Sequence, residues 1–162
     1  MDPASTLAQL FAAPMRAGRV RWIGLRHARG VDVVAVEAAM LMQARGIDGD
    51  RYRSSSDGAR QVTIIEAESL AAVASYLGRN EVAPALLRRN IVVAGINLLA
   101  LKGRRFRLGA ALLEYSGECH PCSKMEAALG PGGYNAMRGR GGITARVLEG
   151  GVVRLGDAIA AL

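Results

Sequence analysis

The segment that decides the fold is RRNIVVAGINLLALKGRRFRLGAALLEYSGE, residues 88–118. It contains three short runs rich in apolar residues, at 90–93, 105–108 and 111–115, separated by glycine-containing turns. Runs of this length and composition predict strands, and the apolar stretch at 98–101 predicts a small helical turn between the first two. Short strands in close succession favour an antiparallel sheet over a chain of βαβ units.

The residues before this segment predict more strands than helices. Two strands rich in Val and Ile are predicted within GRVRWIGLRHARG (18–30) and VDVVAVEAAML (31–41). The stretch QARGIDGDRYRSSSDGAR (43–60) is polar and rich in Gly, Asp and Ser, which predicts a long loop. A strand over 61–65 then runs directly into a helix over about 67–77.

The residues after it follow the same pattern. PCSKMEAALG (121–130) has proline at its start and glycine at its end, as a short helix does. TARVLEGGVVRLGDAIAAL (144–162) predicts a hairpin about the Gly150–Gly151 pair and a final apolar strand. The predicted fold class is therefore mainly β, in the α+β sense: an antiparallel, barrel-like sheet with two or three short helices.

Composition predicts a single globular unit. The 162 residues are 51% hydrophobic and 22% charged, and only 4% are aromatic, so the core must be aliphatic. Two cysteines are too few for a secreted disulfide scaffold and fit a reducing compartment. The N-terminus lacks the basic start of a signal peptide, and no apolar run approaches the roughly 20 residues that span a bilayer. We expect a cytoplasmic protein with no membrane partner.

The net charge of +7 and the pI near 10.2 favour an anionic partner. Nearly all the cations are arginine, since Lys102 and Lys124 are the only lysines, and the planar arginine fork suits phosphate and carboxylate. A GC-rich genome would also enrich arginine together with alanine and glycine. Nucleic acid is an unlikely partner, because few aromatic side chains are available to stack on bases and no helix-turn-helix or zinc-finger pattern occurs.

Both cysteines lie in GECHPCSKMEAALGPGGYNAMRGRGG, residues 117–142. Cys119 and Cys122 form a C-x-x-C motif whose second cysteine stands at the start of the predicted helix. The unpaired N–H groups and the dipole of a helix start favour a thiolate, and Lys124 adds positive charge nearby. Cys122 is therefore the candidate reactive thiol.

Three other interpretations of these cysteines stay open. A thioredoxin-like dithiol would use Cys119 and Cys122 as a redox pair, normally within a parallel α/β fold. A zinc site would need four ligands, which these cysteines could complete only with His120 and a distant His27. The third interpretation is two incidental buried thiols.

The stretch GPGGYNAMRGRGG (130–142) carries six glycines and two arginines. Glycine lets backbone N–H groups approach a ligand closely and form anion-binding nests. The stretch is neither a Walker loop nor a dinucleotide-binding fingerprint. We predict that Arg138, Arg140 and this backbone form one wall of an anion pocket facing Cys122. The alternative is a solvated loop without function.

These motifs together resemble the MOSC family, the domain found at the C-terminus of molybdenum cofactor sulfurases and as small stand-alone bacterial proteins. The resemblance covers residues 18–160, which gives a MOSC domain over 18–162 after an N-terminal extension, 1–17. It depends on the collinear order of GIDGDRY, RQVTIIEAESL, RRNIVVAGINLLALKGRRFRLGAALLE, CHPCSKMEAALGPGGYNAMRGRGGITARVLEGG and RLGDAI.

The resemblance implies a mostly β fold built round a barrel, a pocket for the molybdenum cofactor (molybdopterin, an anionic pterin), and a cysteine that handles sulfur or meets the metal. The Pro-Cys of the family falls on Pro121-Cys122, which makes Cys122 the functional thiol and the expected link to molybdenum through the cofactor. The predicted cofactor-binding residues are Arg51, Arg89, Asn90, Lys124, Gly133, Asn135, Arg138 and Arg140.

Two residues depart from the family pattern. Tyr52 stands where many members have histidine after Gly-Asp-Arg, which puts the role of this early loop in question. Cys119 stands where many members have arginine, three residues before the functional cysteine. The second departure predicts a resolving-thiol role for Cys119.

The expected function is a molybdenum-cofactor-binding protein that either transfers sulfur to the cofactor or uses it in a small reductase. The fused sulfurases carry a separate cysteine desulfurase domain that uses pyridoxal phosphate. This chain has no room for one, so pyridoxal phosphate is not expected, and an external cysteine desulfurase or reductase is the expected protein partner. The alternatives are a non-catalytic cofactor carrier and a C-x-x-C thiol-redox protein.

Overall fold

The computed structural model describes residues 2–52 and 57–162. These residues form the strands β1 (Gly18–Leu25), β2 (Val34–Val36), β3 (Ala38–Met42), β4 (Gly46–Ile47), β5 (Val62–Glu66), β6 (Ile91–Ala94), β7 (Arg105–Leu108), β8 (Ala111–Glu118), β9 (Ile143–Glu149), β10 (Gly151–Arg154) and β11 (Ala158–Ala161). They form the α-helices α1 (Thr6–Ala12), α2 (Ala67–Tyr76), α3 (Ser123–Leu129) and α4 (Gly133–Met137), and 3₁₀ turns at Pro84–Leu87 and Leu98–Leu101.

Seven of the strands close into a barrel. Their order is β11-β7-β8-β9-β5-β6-β1, and β1 pairs back with β11. The strand β2 pairs with the C-terminal part of β1, and β10, β3 and β4 form a separate small sheet. Closure removes the free sheet edges along which strands of other chains could pair. The mainly β, barrel-like fold class predicted from the sequence is confirmed.

One strand pair in the barrel is parallel. The strands β5 and β6 run in the same direction, whereas the other pairs described are antiparallel. A parallel pair needs a crossover connection, and α2 supplies it as the helix of a single βαβ unit. The expectation of an antiparallel sheet therefore missed this one local exception.

The core is aliphatic, as the low aromatic content predicts. Along β7 the residues alternate between exposed arginines and buried Phe106 and Leu108, which is the period of two expected for a strand with one buried face. Phe106 is the largest fully buried side chain, and most of its buried neighbours in the barrel are Ile, Leu and Val. A second cluster packs α2, α3 and α4 against the outside of the barrel.

The helices agree in part with the sequence-based expectations. The helix after β5, the helix before Gly130 and the turn at 98–101 are present. The helices α1 and α4 were not predicted. The start of α4 is completed by a residue of α3, because the Glu126 carboxylate accepts hydrogen bonds from the backbone N–H of Gly132 at 2.9 Å and of Tyr134 at 2.7 Å. Such a non-local cap is invisible to local sequence patterns.

The polar loop predicted over 43–60 includes β4, and its residues 53–56 lie outside the described residues. Within the part of the chain that the structure describes, no helix is both long enough and apolar enough to cross a bilayer.

Candidate functional site

A cleft of about 760 Å³ opens at one end of the barrel. The end of β1, the start of β5, the residues before β6 and the segment after β8 surround it. Its lining includes Cys119 and Cys122, together with Arg51, Arg89 and Asn90 of the predicted cofactor-binding residues. Loops at strand ends are where barrels commonly build sites, since the strands hold the loops in place.

The cleft is strongly basic. Of the described residues that line it, five are arginines and two are carboxylates. The arginines are Arg26, Arg51, Arg60, Arg88 and Arg89, and the carboxylates are Asp50 and Glu118. Guanidinium groups in excess favour an anionic ligand, because like charges crowded together are stabilised when an anion enters between them.

The two thiols of the cleft differ in exposure. Cys122 is exposed and is the N-cap residue of α3, whereas Cys119 is 4% exposed. The backbone N–H of Cys119 donates to the Gly142 carbonyl at 2.8 Å, and Arg60 Nη2 lies 3.8 Å from the Cys119 sulfur. Only Cys122 is therefore accessible to a bulky ligand or reagent without local opening of the chain.

The two thiols are both free, and a short segment without regular secondary structure joins them. Residues 119–122 form no helix or turn, and the Cys119 carbonyl accepts from Arg89 Nη2 at 3.2 Å. A zinc site gains no support, because no group of three or more His, Cys, Asp or Glu side chains suited to a metal ion occurs among residues 2–52 and 57–162.

Arg89 is 7% exposed and connects three backbone segments. Its Nε donates to the Gly141 carbonyl at 2.8 Å, its Nη1 to Leu87 at 2.8 Å and its Nη2 to Cys119 at 3.2 Å. Burial lowers the pKa of this guanidinium, the charge of Cys119 and then of Cys122 acts in the opposite direction, and Arg60 and Arg88 lower it further. Arg89 contributes its charge to the cleft, but its three nitrogens already have acceptors.

Asn90 is held by Thr63 at the start of the parallel pair. Its Oδ1 accepts from the backbone N–H of Thr63 at 3.1 Å and from Thr63 Oγ1 at 3.0 Å. The backbone N–H of Asn90 donates to the same hydroxyl at 2.9 Å. With its oxygen occupied in this way, the side chain keeps its amide N–H₂ as the group that it can offer to a ligand.

Arg88 occupies an unfavourable backbone conformation. It ends the 3₁₀ turn Pro84–Leu87 with φ 57° and ψ 31°, in the left-handed region that glycine adopts freely. A side chain there costs about 1 kcal/mol. Its Nε atom is also buried without a hydrogen-bond partner among the described residues. Strain and an unpaired donor at one residue of a cleft indicate a functional requirement for that side chain.

A loop brings Arg51 beside Arg26 at the end of β1. The backbone N–H of Arg51 donates to the Arg26 carbonyl at 2.7 Å, and the N–H of Arg26 donates to Asp50 Oδ1 at 2.8 Å. Burial lowers the pKa of the Arg26 guanidinium, and the nearby charges of Arg88 and Arg51 lower it further, while Asp50 acts in the opposite direction.

Five of the predicted site residues do not line this cleft: Lys124, Gly133, Asn135, Arg138 and Arg140. Arg140 lines a second cavity, of about 80 Å³, which shares Glu118 to Pro121 with the cleft. The Nη2 of Arg140 lies 3.5 Å from the hydroxyl of Tyr76. The role of these residues in cofactor binding stays a prediction.

Sequence reasoning missed Arg26, Arg60 and Arg88 as members of one cluster. Each stands just outside a strand or beside a turn, where a charged residue ordinarily faces solvent. The one available signal was the Arg88-Arg89 pair before a buried strand. Nothing in local sequence shows that three distant segments meet at one end of a closed barrel.

Comparison with known proteins identifies the family. The MOSC domain matches residues 42–160, so the chain belongs to the MOSC domain family, as the motifs predicted. Among solved structures, the chain is similar to the YuaD protein from Bacillus subtilis, with 21% identity and a TM-score of 0.76 over 89% of this chain and 94% of that one.

Two further structures share this fold. YiiM from Geobacillus stearothermophilus is 18% identical, with a TM-score of 0.72 over 90% of this chain and 75% of that one. YiiM from Escherichia coli is 21% identical, with a TM-score of 0.68 over 89% and 69%. At these identities the structures establish a common fold alone. A search of the curated proteins found no match.

Proposed function

We propose that the chain binds the molybdenum cofactor in the arginine-lined cleft, with the Cys122 thiolate as the group that meets the molybdenum. The observation that carries this proposal is the position of an exposed cysteine on the wall of a cleft that five arginines also line. Membership of the MOSC domain family supports the choice of cofactor.

The residues of the cleft fit such a cofactor. A volume of about 760 Å³ lies within the usual range of small-molecule sites, about 300–1,000 Å³. The excess of guanidinium over carboxylate suits a phosphorylated pterin, and the buried Nε of Arg88 lacks an acceptor that such an anion could supply. A thiolate is the kind of soft ligand that suits a metal already held by sulfur.

The roles of this chain's residues follow from their positions. Cys122 presents its Sγ from the exposed start of α3, and Asn90 offers an amide N–H₂ group from the start of β6. Arg89 holds the segment that carries both cysteines and adds positive charge to the cleft. The cofactor, when bound, would supply redox-active metal chemistry that the amino-acid side chains lack.

Cys122 would be required in either form of the chemistry. In sulfur transfer its Sγ would carry the sulfur received from an external cysteine desulfurase, and in a small reductase the same Sγ would be a metal ligand. Cys119 would not receive sulfur directly. It is buried, and a bulky sulfur-donor protein reaches only the exposed thiol of Cys122.

The test is to purify the full chain from a host that makes molybdenum cofactor, and to measure molybdenum and pterin per chain. We expect both in the wild-type protein. The Cys122→Ala variant should retain no more than about a tenth of the wild-type molybdenum. Residues that only hydrogen-bond to a metal ligand already change metal affinity about tenfold, so loss of the ligand itself should have at least that effect.

Cys119→Ala is the matched control, because it removes the same group from the same cleft at a buried position. It should retain molybdenum within a small factor of the wild type. Absence of pterin from the wild-type protein would refute the cofactor proposal, and equal losses in the two variants would refute the special role of Cys122.

A further inference from the structure

The exposed side of α3 and α4 adjoins the cleft at Cys122. This residue lines the cleft and is also the N-cap residue of α3, so its thiol stands at the boundary between the two. The buried residues of α2, α3 and α4 belong to one apolar cluster, which makes the three helices one packed unit. We define the helical face as six exposed residues of this unit and of the turn after α4: Tyr76, Lys124, Ala128, Tyr134, Arg138 and Arg140.

The helical face is fixed in position beside the cysteine segment. The backbone N–H of Cys119 donates to the Gly142 carbonyl at 2.8 Å, which joins the segment after α4 to the end of β8. Arg140 and residues 118–121 line the same small cavity. The Nη2 of Arg140 also lies 3.5 Å from the hydroxyl of Tyr76, the last residue of α2. A molecule that reaches the exposed thiol from the side of α3 therefore meets this face.

The helical face is positively charged. Residues 120–142 contain three cations, Lys124, Arg138 and Arg140, and one carboxylate, Glu126. Both oxygens of that carboxylate accept backbone N–H groups at the start of α4. None of the three cations takes part in an ion pair within residues 2–52 and 57–162. Exposed cations without a neighbouring counter-charge attract and orient an acidic partner.

The other side chains of the helical face indicate a protein partner. Tyr76 and Tyr134 are 60% and 43% exposed, and tyrosine and arginine are enriched in protein–protein interfaces and among their hot spots. The small side chain of Ala128 leaves the surface of α3 open to close approach. Among the described residues of this face, only Arg140 lines either cavity, so the face as a whole is not the wall of a small-molecule site.

We propose that the helical face docks an acidic protein that carries a persulfide and delivers its outer sulfur to Cys122; this inference rests on the sulfur-transfer form of the proposed function. The Cys122 thiolate attacks the outer sulfur of the donor persulfide, the S–S bond of the donor breaks, and the donor cysteine leaves as a thiolate. The transferred sulfur keeps its hydrogen, and no oxidant is required because one S–S bond replaces another. Arg138 and Arg140 position the donor and take no part in the reaction.

The test measures sulfur transfer to the full chain purified from a host that cannot make molybdenum cofactor. The donor is a cysteine desulfurase of the organism that encodes the chain, loaded with persulfide by its substrate cysteine. Mass spectrometry with peptide mapping follows the gain of one sulfur atom at Cys122. Arg138→Glu combined with Arg140→Glu should slow this transfer at least about tenfold at low salt, because the reversed charges repel an acidic donor.

A small donor separates docking from chemistry. Cysteine persulfide needs no protein surface, so its reaction with the Arg138→Glu, Arg140→Glu variant should stay within about twofold of the wild-type rate. Thermal unfolding checks that the variant is folded, which we expect because exposed arginines contribute little to stability.

Arg16→Glu combined with Arg154→Glu is the matched control. It changes the net charge by the same amount at two exposed arginines outside both cavities and outside the helical face, and it should accept sulfur at the wild-type rate. Tyr134→Ala tests the aromatic contact. It should slow transfer from the desulfurase about fivefold, and the loss should persist at high salt, since salt screens charges and not apolar burial.

Slowing that is specific to the protein donor and to the helical face supports the proposal. Equal slowing in the two double variants overturns it, as does equal slowing with both donors, or a wild-type chain that takes no sulfur from the desulfurase. Self-association of the wild type that the Arg138→Glu, Arg140→Glu variant loses would also overturn it, because the occupant would then be a second copy of the chain.

The outcome is distinguishable from that of the cofactor proposal. If the wild-type chain from a cofactor-making host holds no pterin but shows the donor-specific loss, the cofactor proposal fails and the docking surface stands. If that chain holds pterin and both donors are affected alike, the docking surface fails and the cofactor proposal stands.

Discussion

This protein has two groups of arginines, which differ in their spacing along the chain and in their exposure to solvent. The segment 130–142 carries Arg138 and Arg140 close together and next to the cysteine motif, and both side chains are exposed. Arg26, Arg51 and Arg88 come from three distant segments, and all three are half-buried in one cleft. Arginines that are close in sequence are therefore not the ones that share the cleft. A closed barrel brings together the ends of strands that are far apart in sequence, and the arginines beside those ends with them.

Two glycines of the segment 130–142 have a packing role that the sequence did not indicate. A Cβ atom at Gly141 would lie 1.8 Å from the Cys119 carbonyl oxygen, and one at Gly142 would lie 2.0 Å from the Ile64 carbonyl oxygen. These glycines allow the segment to pack against β5 and against the cysteine segment. Close packing therefore requires glycine at these two positions.

The largest expected effect is on stability, from Gly142→Ala. The added methyl group meets backbone at 2.0 Å and the residue has φ +78°, so we expect a loss of about 3 kcal/mol from overpacking and left-handed strain together. Thermal unfolding should show a fall of roughly 6–12 °C for a chain of this size.

Gly139→Ala is the control for this change. Its φ of +71° gives the same type of strain, but no atom lies within 4 Å of the added Cβ, so the loss should be only about 1 kcal/mol. Equal losses in the two variants would mean that packing of the segment against β5 contributes nothing.

A smaller effect is expected when Arg138 and Arg140 are both replaced by alanine. Neither side chain lines the main cleft, and both are exposed, so solvent and salt screen their charges. We expect pterin retention to fall by less than about threefold, and the melting temperature to stay near that of the wild type. A loss of tenfold or more, as expected for Cys122→Ala, would place this segment in the site, as the sequence predicted.

The smallest expected effect is the pH dependence of the contact between α3 and α4. Backbone hydrogen bonds from Tyr134 and then from Gly132 hold the pKa of the Glu126 carboxyl below its usual range. Its contribution to stability is therefore present above the usual carboxyl pKa, about 4.3, and is lost as the pH falls through the lower value of the folded state.

Comparison of the wild type with Glu126→Gln at neutral pH and in acid measures this contribution. The difference in melting temperature between the two proteins should shrink as the pH falls. A difference that stays constant over the whole range would show that the charge of Glu126 does not stabilise α4.

Most of the strands could be predicted because their signal is local. The alternation of arginine with Phe106 and Leu108 in β7, and the glycine pair before β10, depend only on residues within a few positions of each other. The position of Cys122 at the start of a short helix was predictable for the same reason, whereas its exposure was not. The helix α4 was missed because its cap, Glu126, belongs to another helix.

The sequence by itself determined the period of the strands, the positions of the turns, the family and the choice of Cys122 as the thiol to test. Only the tertiary structure decided which arginines share a cleft with that thiol. It also showed that each side-chain nitrogen of Arg89, adjacent to Arg88, donates to a backbone carbonyl. The physical reason is that a local sequence pattern reports only the backbone conformation of its own residues. The electrostatic field of a site and the hydrogen-bond donors that it offers depend on barrel closure, which joins segments that no local pattern connects.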